Sequence, residues 1–447
     1  MEKNSRILYE TESLCPYCMK KIDAAAVKTG DSVYLVKHCE EHGDFSTLIW
    51  KGSPDIEEWR IDKIPSTPKR YSMKKDKGCP FDCGLCEEHK QHTCTVLIEV
   101  TKRCNMNCNI CFADSGSAIR DPGLEKIRFY YERILSQGGP YNVQISGGEP
   151  TVREDLPEII RMGRDYGFEF IQLNTNGLRI ALEEGYAGKL KAAGLNSIFL
   201  QFDSVDDEIN KKSRGRELFD IKKKAVDNCK KYGLGIVLVP VIWEDNLKDT
   251  GSIIKFALEN IDIVRGVHFQ PLSCFGRYPE DMRNYRRITL PEIIDSMEVQ
   301  TKGMLKKEYF APPCCEHSLC SFHGNFIYDQ GMLQPMVKKN CCGGETIKAE
   351  AGADKSRQFV KKFWSSREIK LEDAKQDRIS LSFDKILSRI NSRSFSISGM
   401  AFQDAWNVDL ERVKQCCIHV LNEDGNLIPF CLYNITDVNS NYLYRRR

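Results

Sequence analysis

Three cysteines in one short stretch have the spacing of a metal-cluster site. Cys104, Cys108 and Cys111 form a C-x3-C-x2-C motif after the apolar run at 96–100, and the next cysteine along the chain is Cys229. Three thiolates can hold three irons of a [4Fe–4S] cluster and leave the fourth iron open. Because catalytic metal sites keep one position free for a ligand, we predict that this triad is the catalytic centre. A structural metal knuckle or a disulfide pair is the alternative interpretation.

A second motif of the same spacing precedes the triad. Cys79, Cys83 and Cys86 are followed eight residues later by Cys94, which supplies a fourth thiolate. A cluster held by four thiolates transfers electrons but cannot chelate a substrate. We therefore predict an auxiliary [4Fe–4S] cluster at these four cysteines, with a second zinc knuckle as the alternative.

The N-terminal segment contains two shorter metal knuckles. Cys15 and Cys18 form the first, and Cys39 and His42 repeat its spacing with an imidazole in place of one thiolate. The strand-like run at 32–37 puts the knuckles on a small hairpin, as in a zinc ribbon or a rubredoxin-like site. The imidazole favours structural zinc, and an iron through which electrons enter is the alternative.

The middle of the chain alternates apolar β-rich runs with amphipathic helical stretches. Parallel neighbouring strands need crossover connections, so six such units predict a parallel sheet with helices outside it. We expect an α/β fold, a partial (β/α)6 TIM barrel, with its active site at the carboxyl ends of the strands. The six runs lie at 96–100, 142–146, 168–174, 197–203, 235–242 and 264–272.

Polar residues and glycines follow several of these predicted strands. Gly147, Gly148 and Glu149 come directly after the second run, and two glycines allow the backbone to approach a ligand closely. Amide and carboxylate side chains at the later strand ends suit hydrogen bonds to a polar cofactor. Capping of the following helices is the alternative role for them. These candidate cofactor-binding residues are Asn174, Asn176, Asp203 and Gln270.

Cysteines return beyond the predicted barrel, beside a predicted hairpin. Runs at 417–421 and 427–433 flank an Asp-Gly pair, which is a strong turn signal. The hairpin would bring Cys416 or Cys417 close to Cys431, so we predict a further Fe–S cluster built from ligands distant in sequence. Spacing does not decide the ligand set, and buried free thiols are the alternative. The candidate ligands are Cys314, Cys320, Cys342, Cys417 and Cys431.

These signals divide the chain into four predicted segments. Residues 1–55 form a zinc-ribbon or rubredoxin-like module, 56–94 an auxiliary-cluster segment, 95–277 the barrel, and 278–447 a Cys-rich C-terminal domain. Within the last segment, the charge-rich stretch at 348–393 has helical periodicity, and we predict that it is a solvated surface without a function of its own.

The composition excludes several classes of function. Lys and Arg number 65 against 63 Asp and Glu, so the net charge of +2 gives no electrostatic reason to expect a nucleic acid partner. We find no apolar signal-peptide run and no uninterrupted apolar stretch of membrane-spanning length. Twenty cysteines in such a chain lead us to expect a cytoplasmic metalloprotein from a reducing, oxygen-poor cell.

The cysteine triad, with Gly147-Gly148-Glu149 one βα unit later, resembles the radical SAM enzymes. The resemblance implies that the open iron chelates the amino and carboxylate groups of S-adenosylmethionine (SAM), and that one electron cleaves SAM to a 5′-deoxyadenosyl radical. It also implies that Gly147, Gly148 and Glu149 meet the methionine amino group of SAM. A reductase, ferredoxin or flavodoxin would then supply the electron.

Six motifs, one of which includes Gly147-Gly148-Glu149, extend this resemblance over most of the chain. They are Cys15-x-x-Cys18, Cys39-x-x-His42-Gly43, Gly147-Gly148-Glu149-Pro150-Thr151, Leu173-Asn174-Thr175-Asn176-Gly177, Gly266-Val267-His268-Phe269-Gln270-Pro271 and Ile428-Pro429-Phe430-Cys431. Together they resemble the radical SAM group that contains the tetraether lipid synthases, some members of which carry the name 7,8-dihydro-6-hydroxymethylpterin dimethyltransferase.

That group implies hydrogen abstraction from an unactivated C–H bond. Our first hypothesis is carbon–carbon coupling of lipid alkyl chains, with peripheral membrane contact as its corollary. Radical methylation of a pterin or another small molecule is the alternative, followed by modification of a ribosomally made peptide. A non-catalytic Fe–S electron carrier is the non-enzymatic alternative.

Overall fold

The computed structural model describes residues 5–116, 120–278, 286–336, 348–365 and 393–446. Of the predicted metal ligands, Cys342 lies outside these residues. So does most of the predicted helical surface, of which only 348–365 and Arg393 are described.

The N-terminal segment is a four-stranded antiparallel sheet in simple sequence order. Its strands are β1 (Ser5–Leu14), β2 (Lys21–Thr29), β3 (Ser32–Cys39) and β4 (Gly43–Lys51). The hairpin of β3 and β4 confirms the prediction, and its register pairs Cys39 with Gly43. The first two strands were not predicted from the sequence. The knuckle Cys15–Cys18 lies in the turn between them, so both knuckles occupy the same end of the sheet.

Six parallel strands form the centre of a second, larger sheet. All six predicted runs are strands, and each pairs in parallel with the next, which confirms the predicted α/β architecture. The sixth strand also pairs with a two-residue strand, β10 (Val241–Ile242). The six are β5 (Thr95–Thr101), β6 (Asn142–Gly147), β7 (Ile171–Thr175), β8 (Ser197–Gln201), β9 (Ile236–Val239) and β11 (Val264–Pro271).

The C-terminal region extends this sheet at both edges. On one side β14 (Ser394–Met400) pairs in parallel with β11, and β12 (Ser321–Asp329) and β13 (Met332–Pro335) follow in antiparallel order. On the other side β15 (Ile418–Leu421) pairs in parallel with β5 and carries β16 (Leu427–Pro429). The sheet is therefore a curved, open partial barrel whose two ends are the strands β13 and β16.

The helices pack their apolar faces against the sheet. In α3, Leu156, Ile159, Ile160 and Gly163 recur at helical spacing and are buried. The main helices are α1 (Ile56–Trp59), α2 (Leu124–Ser136), α3 (Leu156–Asp165), α4 (Leu178–Leu182), α5 (Tyr186–Ala192), α6 (Asp207–Arg214), α7 (Phe219–Lys231), α8 (Thr250–Glu259), α9 (Leu290–Gln300), α10 (Ala349–Trp364), α11 (Leu410–Lys414) and α12 (Phe430–Asn434).

The predicted C-terminal hairpin is present but shorter than expected. The strands β15 and β16 pair around the Asp-Gly turn. The run predicted to continue to residue 433 instead becomes the helix α12 at Phe430. Within the described part of the chain, no helix combines the length and apolar character needed to cross a membrane.

The pairing of β11 with β14 can be tested at Gly266. A methyl group there would lie 2.3 Å from the Ser396 carbonyl oxygen, which is backbone and cannot move aside. We expect Gly266→Ala to lower the free energy of unfolding by about 1–3 kcal/mol, measured by denaturant unfolding without oxygen. Gly116→Ala is the control, because nothing lies within 4 Å of its added methyl group. Equal midpoints for the two variants would contradict the pairing.

Candidate active site and metal centres

The cysteine triad lies in the loop that follows β5, at the carboxyl end of the sheet. Backbone hydrogen bonds tie this loop to its surroundings. Cys111 N donates to Arg277 O at 2.8 Å, and Arg277 N donates back to Cys111 O at 2.9 Å. Ile110 N donates to Ser213 O at 3.2 Å. The loop is thus held by the segment after β11 on one side and by the end of α6 on the other.

The donor set of the triad fits an iron–sulfur cluster. Burial raises the pKa of Cys104 to about 12 and also raises the pKa of Cys108, so these thiolates need a bound cation to persist. The three sulfurs are not all within 4.8 Å of one another. A multi-iron cluster spreads its ligand sulfurs further apart than a single ion does. Both observations agree with a cluster at Cys104, Cys108 and Cys111.

Gly147 and Gly148 bring the end of β6 against the start of this loop. A methyl group on Gly147 would lie 2.1 Å from Thr101 O, and one on Gly148 would lie 2.2 Å from Arg103 O. Gly147 also has φ +129°, which only glycine adopts readily. Gly148 N and Glu149 N donate to these two carbonyls at 2.9 Å each. No larger residue fits at either position.

Glu149 is buried and fixed by four donors. Its Oε1 accepts from Thr151 N at 3.0 Å, Thr151 Oγ1 at 2.7 Å and Thr175 Oγ1 at 2.7 Å. Its Oε2 accepts from Asn176 N at 2.6 Å. The carboxylate therefore joins the ends of β6 and β7 and faces the same cavity as the triad.

The predicted amide residues lie around the same cavity. Asn176 donates through Nδ2 to Asn105 Oδ1 at 2.8 Å, which links β7 to the triad loop, and its own Oδ1 caps α4. Asn174 Oδ1 is buried and has no hydrogen-bond partner within the described chain. Gln201 Nε2, at the end of the neighbouring strand β8, is also buried and has no hydrogen-bond partner within the described residues. Gln270 also lines the cavity.

Asp203 has a different position from the other predicted residues. Its side chain is fully buried and pairs with Arg214, at 2.6 Å from Nε to Oδ2 and 3.1 Å from Nη2 to Oδ1. Arg214 also donates from Nη1 to Ile110 O at 2.7 Å, and Arg214 lines the cavity whereas Asp203 does not. Asp203 thus holds the arginine that anchors the triad loop.

Lys222 is a buried basic residue of the site that was not predicted from the sequence. Its Nζ donates to Asn176 O at 2.6 Å and to Gln201 Oε1 at 2.8 Å. Burial lowers the pKa of Lys222 to about 7. The Lys222 side chain therefore fixes the backbone of Asn176, a predicted cofactor-binding residue, and the side-chain amide of Gln201 at the end of β8.

A cavity of about 520 Å³ runs through the interior of the partial barrel. It is lined at one end by the triad and Glu149, and at the other by Cys94 and Cys315. Between them, alternate residues of the strands point inwards, as pleating requires. The seven residues of β5 rise by roughly 3.3 Å each, so the two ends are roughly 23 Å apart along the strand.

The wall of the cavity away from the triad is largely apolar. The helix α10 contributes Phe359, Val360 and Trp364, although its sequence predicts a solvated surface. His268 lies beside them, with Nδ1 2.8 Å from Ser398 Oγ, and burial lowers its pKa to about 4 so that the ring is neutral at pH 7. Further apolar lining residues are Phe170, Phe199, Phe322, Ile397 and Met400. Phe402 and Phe430 also line the cavity but lie nearer the triad, since the Phe430 ring centroid is 5.9 Å from that of Phe112.

Comparison with known proteins identifies the family. Residues 98–257 match the model described as Radical SAM superfamily, and residues 7–51 match the HMPTM N-terminal zinc ribbon domain. The chain is 36% identical to 7,8-dihydro-6-hydroxymethylpterin dimethyltransferase of Methanocaldococcus jannaschii, over 95% of this chain and 93% of that protein. This chain belongs to the radical SAM superfamily.

Two other known proteins match part of the chain. Fe-coproporphyrin III synthase of Methanosarcina barkeri is 32% identical over 48% of this chain and 52% of that protein. A crystal structure of Streptococcus suis SuiB has a TM-score of 0.40 at 15% identity and covers 48% of this chain and 47% of that one.

Membership of the radical SAM superfamily makes the protein an enzyme and defines its cofactors. They are a SAM-binding [4Fe–4S] cluster and SAM, and the zinc ribbon and the further cysteine groups fit auxiliary metal sites. The enzyme also needs a substrate and an electron donor.

The N-terminal knuckles converge on one metal site of four ligands. Cys15, Cys18, Cys39 and His42 lie within 4.8 Å of one another. His42 Nδ1 is 3.6 Å from Cys15 Sγ and 3.5 Å from Cys39 Sγ, and Cys18 Sγ is 3.9 Å from Cys39 Sγ. Zn–S bonds of about 2.3 Å give tetrahedral edges of about 3.5–3.8 Å. The geometry therefore fits zinc.

The second C-x3-C-x2-C motif separates from its predicted fourth ligand. Cys79, Cys83 and Cys86 lie near one another, since Cys79 raises the pKa of both other thiols and Cys86 also raises the pKa of Cys83. Cys94 instead contacts Cys315 and Cys417. The structure therefore groups Cys94 with the C-terminal cysteines, although the sequence predicts it as the fourth ligand of the earlier motif.

The other C-terminal cysteines form a separate group. Cys320, Cys416 and Cys431 line a small second cavity beside Arg412, whose Nη2 lies 3.4 Å from Cys320 Sγ. Cys314 lines the main cavity but is not within 4.8 Å of the nearby group of ligand atoms. Cys417 lines both cavities, so this group adjoins the one that contains Cys94 and Cys315.

The zinc site is tested by removing one ligand. We expect Cys39→Ser to lose about one zinc per chain and no iron, because the ribbon holds one ion with four ligands. Metal content is measured on protein purified without oxygen. Cys229→Ala is the control, since Cys229 is buried alone in the core and should change neither metal. Loss of iron instead of zinc would identify a rubredoxin-like site.

The role of Asp203 is tested by removing its charge. We expect Asp203→Asn to lower the free energy of unfolding by about 3–5 kcal/mol, because Arg214 remains buried without its carboxylate. Asp262→Asn removes an exposed partner of Lys230 and should cost less than about 1 kcal/mol. If Asp203→Asn costs no more than this control, the buried pair does not support the loop.

Proposed function

We propose that this radical SAM enzyme abstracts hydrogen from an unactivated carbon and then transfers a group to it, with a reduced pterin or a similar small molecule as substrate. The observation that carries the proposal is the single cavity that contains both the cysteine triad and a large apolar chamber. A radical generated at one end of such a cavity is shielded from water and can reach a substrate bound in the chamber.

The polar end of the cavity supports a binding site for SAM. When bound, the cluster and SAM together supply the 5′-deoxyadenosyl radical. We assign the cluster to Cys104, Cys108 and Cys111, and the approach of the methionine part of SAM to Gly147 and Gly148. Their close contacts with the backbone of Thr101 and Arg103 hold the end of β6 against the triad loop.

Two unsatisfied side-chain atoms support the position of the rest of SAM. Asn174 Oδ1 is a buried acceptor and Gln201 Nε2 a buried donor, each without a partner in the described chain. Burying such groups unpaired is costly, so a ligand with hydroxyl groups is expected to satisfy them. A ribose offers hydroxyls that both donate and accept. Glu149, Asn176 and Gln270 complete the proposed contacts, and Asp203 acts through Arg214.

The pterin-type substrate rests on the relative from Methanocaldococcus jannaschii, whose name contains that substrate and which matches nearly the whole chain. Asn142 and Gln144 supply polar groups inside the barrel, beside aromatic rings such as Phe199. A flat heterocycle needs both stacking surfaces and hydrogen-bond partners. This wall offers both.

A second candidate function is favoured by the shape of the cavity. Its ends lie roughly 23 Å apart along β5, and its wall is largely aromatic and aliphatic. An extended alkyl chain would bury its surface favourably along such a wall. Carbon–carbon coupling of lipid chains therefore remains the alternative to small-molecule transfer, with peripheral membrane contact as the route by which a lipid enters.

The electron donor is proposed to be a ferredoxin, a flavodoxin or their reductase in the cytoplasm. Each delivers single electrons at low potential, which cleavage of SAM requires. The near-neutral net charge of +2 offers no support for a nucleic acid substrate.

The chemistry is tested by the fate of SAM. We expect the reduced protein, reconstituted without oxygen, to convert SAM to 5′-deoxyadenosine. Cys104→Ala should abolish this conversion, because two thiolates cannot hold the open cluster. Cys229→Ala, which removes a core thiol away from the cavity, is the matched control. A wild-type protein with full iron content that leaves SAM intact would show that the protein is an electron carrier.

The same assay separates the two substrates. With a deuterated reduced pterin, deuterium should appear in 5′-deoxyadenosine and isotopic label from the SAM methyl group in the product. Lipid extracts from cells with and without the gene should then be identical. Joined or membrane-spanning alkyl chains that depend on the gene, without transfer to the pterin, would favour the lipid alternative.

A further inference from the structure

The end of the cavity opposite the triad contains a compact group of three metal-binding side chains. Cys417 directly precedes β15, whereas Cys315 and Glu316 lie in the loop before β12. One ligand atom from each of these residues lies within 4.8 Å of the other two. The strand β12 is second from one end of the large sheet and β15 is second from the other end. The curvature of the sheet therefore brings its two edges together at this group.

The distances within the group fit a single metal ion. Cys315 Sγ lies 3.5 Å from Cys417 Sγ, and Glu316 Oε2 lies 3.8 Å from Cys417 Sγ. Two sulfurs that bind one zinc ion at about 2.3 Å are about 3.5–3.8 Å apart, as at the N-terminal zinc ribbon. The ligand sulfurs of a multi-iron cluster lie further apart, because each binds a different iron. The group therefore has the dimensions of a mononuclear site.

The same distance criterion excludes two neighbouring thiols from the ligand set. Cys94 contacts both Cys315 and Cys417, but its sulfur is not within 4.8 Å of all three ligand atoms. Cys314 also lies outside that distance. Among the described residues, the group thus offers two thiol sulfurs and one carboxylate, which is one ligand fewer than the zinc ribbon has.

The three side chains are buried, and the partners of the carboxylate carry no charge. The exposed fractions are 5% for Cys315, 8% for Glu316 and 1% for Cys417. The Glu316 carboxylate accepts hydrogen bonds from Ser321 Oγ and from Cys315 Sγ, each at 2.5 Å. Lys63 Nζ donates to the backbone carbonyl of Glu316 instead. Buried carboxylates and thiolates are stable when a cation balances them, and a bound metal ion would take the place of the Cys315 thiol proton.

The group also borders the chamber proposed for the substrate. Cys315, Glu316 and Cys417 all line the main cavity. Zinc is usually four-coordinate, and a site with three protein ligands leaves the fourth position to water or a substrate. Two soft thiolate ligands favour zinc over magnesium or calcium, which prefer oxygen ligands. The composition and position of the group therefore suit a zinc ion that is accessible from the cavity.

We propose that Cys315, Glu316 and Cys417 bind one zinc ion whose fourth position opens into the cavity at the end away from the triad. The ion joins the loop before β12 to the start of β15 and so fastens the two edges of the partial barrel to each other. Its ligand rests on the proposed function: the open position takes a lone pair of the substrate, such as a carbonyl oxygen or ring nitrogen of a pterin.

The zinc content of the full-length protein, purified without oxygen, tests the site. We expect about two zinc ions per chain in the wild type, one at the ribbon and one here. Cys315→Ala should lose about one zinc and retain its iron, because the site holds a single ion. Cys314→Ala is the matched control, since it removes the adjacent thiol, which also lines the cavity. This control and Cys94→Ala should both retain the two zinc ions.

The ligand set is tested by zinc X-ray absorption in Cys39→Ser, which lacks the ribbon zinc. The remaining zinc should have about two sulfur neighbours at about 2.3 Å, together with lighter atoms at about 2.0–2.2 Å. Added 2-mercaptoethanol should raise the sulfur count to about three, because a thiolate can occupy the open position. Adding Glu316→Gln should let a chelator remove zinc that Cys39→Ser retains, since an amide has no charge to balance the ion. Circular dichroism establishes that each variant is folded.

Four results would overturn the proposal. Only about one zinc in the wild type would leave Cys315 and Cys417 as a pair of thiols without a metal. Loss of about four irons from Cys315→Ala would identify a cluster instead of a single ion. Loss of zinc from Cys94→Ala would add a fourth protein ligand, and a sulfur count that 2-mercaptoethanol leaves unchanged would show a closed site. None of these measurements uses SAM, so failure here is distinguishable from failure of the proposed reaction.

Discussion

The strand β5 is the element on which both ends of the cavity depend. It is paired in parallel along both edges, with β6 on one side and β15 on the other. Hydrogen bonds on both edges hold its two ends rigidly in place. Cys94 lies immediately before the strand and Cys104 shortly after it. One seven-residue strand therefore sets the separation between two cysteine centres and the length of the chamber between them.

The electrostatics of the triad loop follow from its burial. The buried pair of Asp203 and Arg214 supplies a fixed positive group next to Cys108. Burial raises the pKa of the Cys108 thiol, whereas this arginine lowers it. In a low-dielectric site such a pair is strongly coupled, so the acid is as necessary as the arginine it holds. Asp203 and Lys222 thus hold other residues of the site without lining the cavity themselves, whereas Glu149 and the amide side chains line it.

Features with a local cause were predictable from the sequence. The six central strands are apolar runs bounded by glycine and polar turns, and all six are found where their pattern indicated. The zinc knuckles and the pair Gly147-Gly148 were also predictable, because each is recognised from the spacing of a few neighbouring residues. The same reasoning misjudged α10, because its amphipathic pattern shows that one face is buried but not that Phe359 and Trp364 face a cavity.

The sequence by itself determined the chemistry, since an open cysteine triad followed by a glycine pair at the next strand end permits few other functions. Beyond the triad and the four zinc ligands, only the tertiary structure decided which cysteines lie together. Cys94 is eight residues from Cys86 in sequence, yet it contacts Cys315 and Cys417. The pairing of strands distant in sequence cannot be predicted from the spacing of neighbouring residues, because strand register depends on the buried faces of the whole sheet rather than on any one segment.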